Sequence, residues 1–530
     1  MQIISLAFVL FVLALLCLYY LVGRLCGRYQ WVVILVANFV FYYLAANLSG
    51  MVFILTAALP TWLASQAFGK LTASYKARRK ATKDKAERKR LKAELKRRKR
   101  VVLVAALVVI LGVLGYLKYW NVILFNFNLA PSPSSLGILL PMGISFYTFM
   151  SAMYLIDTYN DKFAPERNFL RYLAFVSYFP CFIQGPINRY DEMSPQLSEV
   201  HHVELRKVQR GLLRLGLGLL KKCAIASMLT ANVSAILAAI GPDTPGVAIV
   251  VGIVLYSFFM YGDFSGGIDM VEGVSELFGI EMSENFRQPY LSVSIADFWR
   301  RWHKSLGVFM RDYLFYPIAL TKPMQRFSKW AQAHTPHHIG RTLPACIANL
   351  IVFFFVGLWH GAEWHFIAWG MYNGIVVALA DLFEPVFHSM KARLHVRDDS
   401  KPYYVFTVVR TFVMVNIGRY FDCIASVSVS LLALHNTFLK FAPAQPLTTV
   451  LADMGVTDAA TLGISWVAFA AMLVVAIVDV AEERGVDVRD KILSWKFYQR
   501  VILYVVVGLI FAASLPTTVT AGVTFAYANF

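Results

Sequence analysis

Charged residues are scarce in this sequence. Asp, Glu, Lys and Arg make up 15% of the 530 residues, whereas soluble domains carry about 25%. Hydrophobic residues make up 58%, and uncharged apolar runs of about 18 residues, such as 3–22, are long enough to cross a bilayer as helices. Their continuity excludes the alternating pattern of a membrane β-barrel. The composition therefore excludes a soluble protein and predicts an all-α polytopic integral membrane protein.

Cysteines are also few, and they are scattered. The six cysteines form no C-x-x-C pair and have no spacing to histidine that suits zinc. His360, Glu363 and His365 read H-x-x-E-x-H, whereas a zinc protease needs H-E-x-x-H to bring two imidazoles one helical turn apart. No disulfide framework, metal site or bound cofactor is therefore expected.

Positive charge is concentrated in one segment. The net charge is +18, and Lys70–Arg100 holds 16 Lys and Arg against 3 Asp and Glu. A basic run between apolar spans is typical of a cytoplasmic loop that meets anionic lipid headgroups. We therefore expect a cytoplasmic loop at 70–100, an N-terminus outside and no nucleic-acid partner. A cleaved signal peptide is not expected, because no basic region precedes the first apolar run.

The apolar segments predict about a dozen membrane spans. We expect one membrane domain over 1–530, because no polar stretch is long enough to fold separately. Within it we expect N-terminal spans in 1–130, a core in 138–383 and C-terminal spans in 403–530. The candidate spans are 3–22, 31–48, 51–68, 101–117, 138–157, 211–229, 246–262, 345–360, 364–383, 403–420, 465–481 and 500–516.

The segment 294–313 carries apolar residues at helical spacing, and Ser294 with Asp297 has the pattern of a capping box. We expect one amphipathic helix, with His303 on the border between its apolar and charged faces. Two interpretations stay open. His303 faces a polar tunnel, or the helix lies at the membrane interface and its Trp, Arg and His side chains anchor it to headgroups.

His360 ends the apolar run 351–359 and precedes Gly361. A titratable side chain within the membrane is costly, which makes it a functional candidate. Gly361 lets the backbone turn and lets other groups approach closely. The alternative interpretation is a hydrogen-bonded core histidine.

Six stretches resemble the membrane-bound O-acyltransferase (MBOAT) family, and in particular its bacterial branch of alginate O-acetylating and teichoic acid D-alanyl-transferring proteins. The resemblance implies a helical bundle with re-entrant or tilted helices around a tunnel. The chain departs from the alginate pattern at 319–341 and 416–426. The matching stretches are 140–159, 177–190, 261–270, 284–290, 297–317 and 357–374.

The same motifs imply the residues of a site. His360 and His303 correspond to the family's two active-site histidines, His360 as general base and His303 to orient the acceptor or steady the oxyanion. Arg311 and Asp312 match an Arg-Asp pair, and Asp263 matches an Asp-Phe-Ser stretch. These three residues either act directly, with Arg311 attracting donor phosphates, or hold the site together as an ion pair or helix cap. The other supporting or substrate-binding residues in the matched motifs are Trp302, Trp359, Gln184 and Asn285.

The resemblance also implies an activity. It is transfer of an acyl group, most simply acetyl, from a cytoplasmic thioester (acetyl-CoA or an acyl carrier protein) across the plasma or inner membrane. The expected acceptor is a hydroxyl of a cell-envelope polysaccharide or of a relay partner. That partner is expected to be membrane-anchored or extracytoplasmic and to resemble an SGNH esterase. It would contact the loop 120–136, which is rich in aromatic residues. The alternative interpretation of this loop is an ordinary interfacial aromatic belt.

Two alternative functions stay open. One is D-alanyl transfer to teichoic acid within the same family, because the two departures leave the acceptor undetermined. The other is a proton-coupled transporter or flippase, since a dozen helices with His, Arg and Asp within the membrane also describe such a carrier. No half-repeat is evident in the sequence, which disfavours a transporter.

Overall fold

The computed structural model describes residues 3–45, 48–126, 129, 141–456 and 459–520, and all regular secondary structure in these ranges is helical. The predicted all-α fold class is therefore confirmed. The α-helices in chain order are α1 (Leu6–Cys26), α2 (Gln30–Ala45), α3 (Leu48–Ala81), α4 (Lys85–Asn126), α5 (Ile144–Tyr159), α6 (Phe169–Val176), α7 (Cys181–Gln184), α8 (Tyr190–Ser198), α9 (Leu205–Leu219), α10 (Met228–Ala238), α11 (Gly246–Met260), α12 (Gly266–Leu277), α13 (Ile295–Arg301), α14 (Lys304–Met310), α15 (Tyr316–Ala319), α16 (Lys322–His334), α17 (His337–His360), α18 (Trp364–Leu382), α19 (Glu384–Arg393), α20 (Lys401–Cys423), α21 (Val427–Leu439), α22 (Leu447–Asp453), α23 (Ala459–Glu483), α24 (Val488–Leu493) and α25 (Phe497–Thr520).

The chain forms two compact units. The first consists of Met1–Leu215 and Val271–Ser283, and the second of Gly216–Met270 and Glu284–Phe530. All the candidate site residues except Gln184 belong to the second unit. The expectation of a single membrane domain stays a prediction.

Seven stretches of the described residues are helical, long and apolar enough to cross a membrane, fewer than the dozen predicted. The two predicted N-terminal spans form one such stretch. The predicted span 138–157 overlaps α5, whose 16 residues are fewer than the roughly 20 that a bilayer requires. The seven stretches are Leu6–Ala45, Met51–Ala81, Lys85–Phe125, Gly246–Leu277, His337–His360, Trp364–Leu382 and Phe497–Leu515.

The basic segment 70–100 is helical and is not the loop that we expected. It forms the adjoining ends of α3 and α4, which are joined by a turn at 82–84. The Asp84 carboxylate begins α4 by accepting hydrogen bonds from the N–H groups of Ala86 (2.9 Å) and Glu87 (3.2 Å). Ala, Lys, Arg, Glu and Leu all favour helix, so the helical spans continue through the charged sequence. At 1.5 Å per residue, α3 and α4 are about 51 and 63 Å long, well above the ~30 Å of the hydrocarbon layer.

Lys99 marks the level at which this helical hairpin leaves the rest of the first unit. Its side chain is buried, and its Nζ donates to the Tyr159 carbonyl at the end of α5 (2.9 Å) and to Asp161 Oδ1 (2.9 Å). Thr72 of α3 reaches the same carboxylate at 3.5 Å. Residues 73–98 therefore extend beyond the end of α5, and most of their side chains are exposed.

The core of the first unit is built around α5, whose residues from Ile144 to Leu155 are all buried. Asn38 joins its own helix, α2, to this core. Its amide donates to the Ala174 carbonyl (3.1 Å) and to Ser177 Oγ (3.1 Å), and its Oδ1 accepts from the Phe179 N–H (2.9 Å). A buried amide that is satisfied in this way holds apolar helices in one register.

The second unit brings two helical segments into backbone contact. A Cβ added to Gly218 would lie 2.6 Å from the Gly266 carbonyl oxygen, and one added to Gly266 would lie 2.9 Å from the Gly218 oxygen. Only glycine allows this approach. Wider π-helical turns follow Gly218 at Leu220–Ser227 and precede Gly266 at Tyr261–Ser265. Such turns are frequent at functional sites.

Candidate active site

His360 is the last residue of α17, as the glycine after it suggested. Gly361 has an extended backbone, with φ of −175°. A Cβ at this position would lie 2.3 Å from Glu363 Oε2 and 2.5 Å from a ring carbon of Phe366. Gly361 is therefore required for close packing, and it lets the chain turn directly into α18.

Aromatic rings surround the His360 imidazole. The rings of Trp359 and Trp369 meet it edge-on, with centroids 4.8 and 4.7 Å away, and Phe366 is stacked at 6.0 Å. The side chain is buried. Packing of this kind restricts the orientation of the imidazole.

The expected single helix over 294–313 is wrong, because the chain breaks at Trp302 and His303. Helix α13 begins as predicted, with Ser294 Oγ accepting from the Asp297 N–H at 3.1 Å. It ends at Arg301, and α14 starts at Lys304. His303 has φ of +49°, in the left-handed region that non-glycine residues rarely adopt. Its side chain is consequently buried, and the border position that a continuous helix predicts does not apply.

Asn285 holds the His303 ring. Its Oδ1 lies 3.0 Å from His303 Nδ1 and also accepts from the Ser305 N–H (3.1 Å) and Oγ (2.8 Å). Because the Ser305 N–H can only donate, the Asn285 atom is the oxygen, and His303 Nδ1 must be the donor. The neutral ring then carries its lone pair on Nε2. Burial lowers the pKa of His303 to about 3, so this neutral form is present at physiological pH.

Trp359 brings the two histidines together. Its ring centroid is 5.8 Å from that of His303 and 4.8 Å from that of His360, so the two imidazole centroids lie at most about 10.6 Å apart. Trp302, the residue before His303, is buried against Phe298 and Phe286, at 5.5 and 5.0 Å. The structure thus assembles His303, His360, Trp302, Trp359 and Asn285 in one place, as the motifs implied.

Asp263 lies beside this group, since the residue after it contacts His303. Asp263 lies in the π-helical turn Tyr261–Ser265 and forms a buried ion pair with Lys222, which lies in the π-helical turn Leu220–Ser227. The next residue, Phe264, meets the His303 ring edge-on at 4.9 Å. The buried ion pair favours the interpretation that Asp263 holds the site together, and the role of Asp263 stays a prediction.

Arg311 and Asp312 bind each other, with Arg311 Nε donating to Asp312 Oδ1 at 2.8 Å. The pair is not buried, since 56% of the Arg311 side chain is exposed. It lies in a third π-helical turn, Arg311–Phe315, after α14. An exposed guanidinium can attract an anionic group, so the binding interpretation of Arg311 stays open.

Gln184 is the last residue of α7 and belongs to the first unit, whereas the other candidate residues belong to the second unit. It is fully buried, and the described residues supply no hydrogen-bond partner to either atom of its amide. A buried amide in this state is costly unless a ligand or water binds it. Its expected role in substrate binding stays a prediction.

Sequence reasoning missed two buried cations, each of which lies over an aromatic ring of the second unit. Arg419 is buried, pairs with Asp422 and lies over the Trp302 ring at 4.9 Å. Its position within 416–426, where the sequence departs from the alginate pattern, was a usable signal. So was the dipeptide Lys221-Lys222 in an otherwise apolar run, where Lys221 Nζ binds Asp269 at 2.8 Å.

Comparison with known proteins identifies the class. The sequence profile of MBOAT, the membrane-bound O-acyltransferase family, matches residues 88–421, which is more than half of the chain. The chain therefore belongs to this family, and its described histidine motifs all lie within the matched residues.

Named relatives come from three kinds of bacteria. The chain is 36% identical over 284 residues to a protein of Azotobacter vinelandii named Probable alginate O-acetylase AlgI, covering 52% of this chain and 53% of that protein. It is 32% identical over 309 residues to the Peptidoglycan O-acetyltransferase of Helicobacter pylori, covering 53% and 55%. It is 29% identical over 254 residues to the Teichoic acid D-alanyltransferase of Bacillus subtilis, covering 46% and 59%. The chain thus spans little more than half the length of these relatives.

Proposed function

We propose that this protein is a membrane O-acyltransferase that moves an acyl group, most simply acetyl, from a thioester to a hydroxyl of a cell-envelope polysaccharide. The observation that carries the proposal is the placement of His303 and His360 on either side of Trp359. Family membership and the names of two acetylating relatives support the acetyl group. The donor is acetyl-CoA or an acyl carrier protein, and the immediate acceptor is the polymer or a relay partner.

His360 is the general base in this proposal. A hydroxyl is a poor nucleophile, whereas a thioester needs little activation. The imidazole takes the hydroxyl proton while the oxygen attacks the carbonyl carbon, and the C–S bond then breaks. The leaving sulfur takes the proton from the imidazolium, which restores the base. Proton transfer of this kind contributes about 10²–10⁴ in rate.

His303 orients the acceptor. A base is most effective when its pKa lies near the working pH, and burial lowers the pKa of His303 to about 3. This makes it a weak base. Its Nε2 lone pair can still accept a hydrogen bond from the attacking hydroxyl. In this neutral form Nε2 carries no proton, so His303 does not steady an oxyanion through that atom.

Membranes containing His360→Ala or His360→Gln variants test the proposal. With radiolabelled acetyl-CoA as the probe, label in the polysaccharide should fall at least about 10²-fold relative to wild type, while protein level and insertion stay unchanged. His365→Gln is the matched control. His365 is also buried, and a glutamine can keep donating to the Phe421 carbonyl (2.9 Å).

Two results would contradict the proposal. Wild-type acetylation by a well-expressed His360→Ala protein would remove the base. Label transfer from D-alanyl carrier protein, and none from acetyl-CoA, would favour the D-alanyl alternative, which the Bacillus subtilis relative represents.

A further inference from the structure

Two short segments form the immediate support of His303. Residues 284–288 and 301–305 pair through their backbones, with the Arg287 N–H donating to the Arg301 carbonyl (3.0 Å) and the Lys304 N–H donating to the Asn285 carbonyl (2.9 Å). Together they are called the histidine clamp below. Because His303 adopts a left-handed backbone, surrounding contacts must hold it there.

The last turn of α23 binds both halves of the histidine clamp. The Arg301 guanidinium forms a bidentate pair with Glu483, through Nη1 to Oε2 (2.6 Å) and Nη2 to Oε1 (3.0 Å). Gln288 donates to Glu482 Oε2 at 2.7 Å. One carboxylate therefore holds each segment. Arg301 is fixed further by Asp297 within its own helix, at 3.0 Å from Nε.

A third carboxylate of α23 binds Tyr261, whose aromatic ring lies beside the histidine clamp. Asp479 accepts hydrogen bonds from the Tyr261 hydroxyl at 3.1 and 2.9 Å. The Tyr261 ring lies 6.4 Å from that of Trp302, the residue before His303. Asp479, Glu482 and Glu483 have i, i+3, i+4 spacing, which places them on one face of the helix.

We propose that Glu482 and Glu483 are positioning residues, which fix His303 by binding Gln288 and Arg301. Helix α23 lies beyond residues 88–421 that match the family, so the C-terminal part of this chain contributes to the active site without touching the reacting atoms. The catalytic consequence rests on the proposed function. A bidentate Arg–carboxylate pair imposes geometry as well as charge, and a misplacement of about 1 Å can reduce catalysis about 10²-fold.

Two variants test whether the contact between Arg301 and Glu483 sets the geometry of the histidine clamp and not only the stability of the protein. Glu483→Gln keeps the shape of the side chain and removes its charge. Arg301→Lys keeps the charge and removes the planar fork. Both should loosen the clamp, and the double variant should be no worse than either single one, because both changes break the same contact. Asp398→Asn, which breaks the exposed pair with Lys391 (2.9 Å), is the control.

The readout is the rate at which diethyl pyrocarbonate modifies individual histidines of the full-length protein at pH 7, followed by mass spectrometry. This measurement needs no acyl donor, so it is independent of the proposed function. We expect His303 to react about tenfold faster in Glu483→Gln and Arg301→Lys than in wild type, and His365 to react at the wild-type rate. In the acyl-transfer assay the same variants should lower kcat and leave the KM for donor unchanged.

Three results would overturn the positioning role. They are an unchanged rate at His303 in both variants, an equal rise at His365, which would indicate general loosening, or an equal rise at His303 in Asp398→Asn. If the modification rates change as expected but His303→Ala retains full acyl transfer, the positioning role stands and the proposed role of His303 is wrong.

Discussion

Asn285 fixes the tautomer of His303, and it does so as a neutral acceptor. A carboxylate in the same place would accept the same Nδ1–H hydrogen bond but would also stabilise the imidazolium. An amide accepts the hydrogen bond without adding a charge that would favour the imidazolium. The chemistry of the site depends on this difference, because a charged His303 could not accept a hydrogen bond from a hydroxyl.

Asn285→Asp should raise the pKa of His303 from its low value. Wild-type His303 stays neutral between pH 5 and 8, since burial lowers its pKa to about 3, so its reaction with diethyl pyrocarbonate should change little with pH. In the variant, the neutral fraction should fall as the pH drops toward 5, and the reaction should slow with it. Mass spectrometry of the His303 peptide over this pH range measures the effect.

Asn168→Asp is the control for the added charge. Asn168 begins α6 by accepting from the Leu170 and Arg171 N–H groups, and aspartate performs this capping equally well. Its His303 profile should match the wild type. An Asn285→Asp profile with as little pH dependence as wild type would contradict the contact between Asn285 and the His303 ring.

At the scale of helices, the basic residues of the α3 and α4 hairpin indicate which side of the membrane this hairpin lies on. We propose that its basic end is cytoplasmic and that the N-terminus lies outside, following the positive-inside rule. Ala86 is exposed near the start of α4. A cysteine there should be shielded from a membrane-impermeant thiol reagent in intact cells and should react once the cells are permeabilised.

Leu129→Cys provides the opposite control, because Leu129 is exposed and follows α4. It should react from outside. Both variants are made in a background without Cys17 and Cys26, which are exposed free thiols. Labelling of Ala86→Cys in intact cells, with Leu129→Cys protected, would reverse the proposed orientation.

The sequence predicted helices well, because apolar runs and helix-forming residues act locally. The two histidines that it singled out lie on either side of Trp359, and their roles stay a prediction. The sequence did not predict the break between α13 and α14, because apolar residues keep helical spacing on both sides of it. The break depends on Asn285, which bonds across the turn from another segment. The Arg301 to Glu483 pair joins residues 182 positions apart, a separation for which periodicity carries no information.

The predicted outward loop 120–136 is a second place where the sequence did not show where a helix ends. Residues 120–126 continue α4 as helix, since nothing in their sequence terminates it. Residues 127–128 and 130–136 lie outside the described residues. The expected partner contact at this place stays a prediction.

At the scale of the whole molecule, the described residues are almost entirely helices joined by short connections. Under the proposed function this chain carries an acyl group to the far side of a membrane, and its described residues offer little surface with which to select positions on a long polymer. We therefore expect a partner that receives the acyl group. Purified protein supplied with acetyl-CoA and polysaccharide should acetylate far more slowly than whole membranes, or at different sites.

Membranes from cells that lack this chain provide the complement. They should restore the rate and the acetylation pattern when they are mixed with the purified protein, because they contain the partner alone. Acetylation by the purified protein at the same sites and rate as whole membranes would show that no partner is needed.

Three π-helical turns among the described residues impose a constraint of a different kind, at Leu220–Ser227, Tyr261–Ser265 and Arg311–Phe315. Each wide turn takes up one residue more than an α-helical turn, so the helix beyond it is rotated by about 100° relative to an uninterrupted one. Rewinding Leu220–Ser227 as a regular α-helix with all its residues kept would turn the face of α10 by that angle, whereas loss of a single residue there would restore the regular winding and leave that face unchanged. At these places the number of residues, and not only their chemistry, determines which side chains face the site.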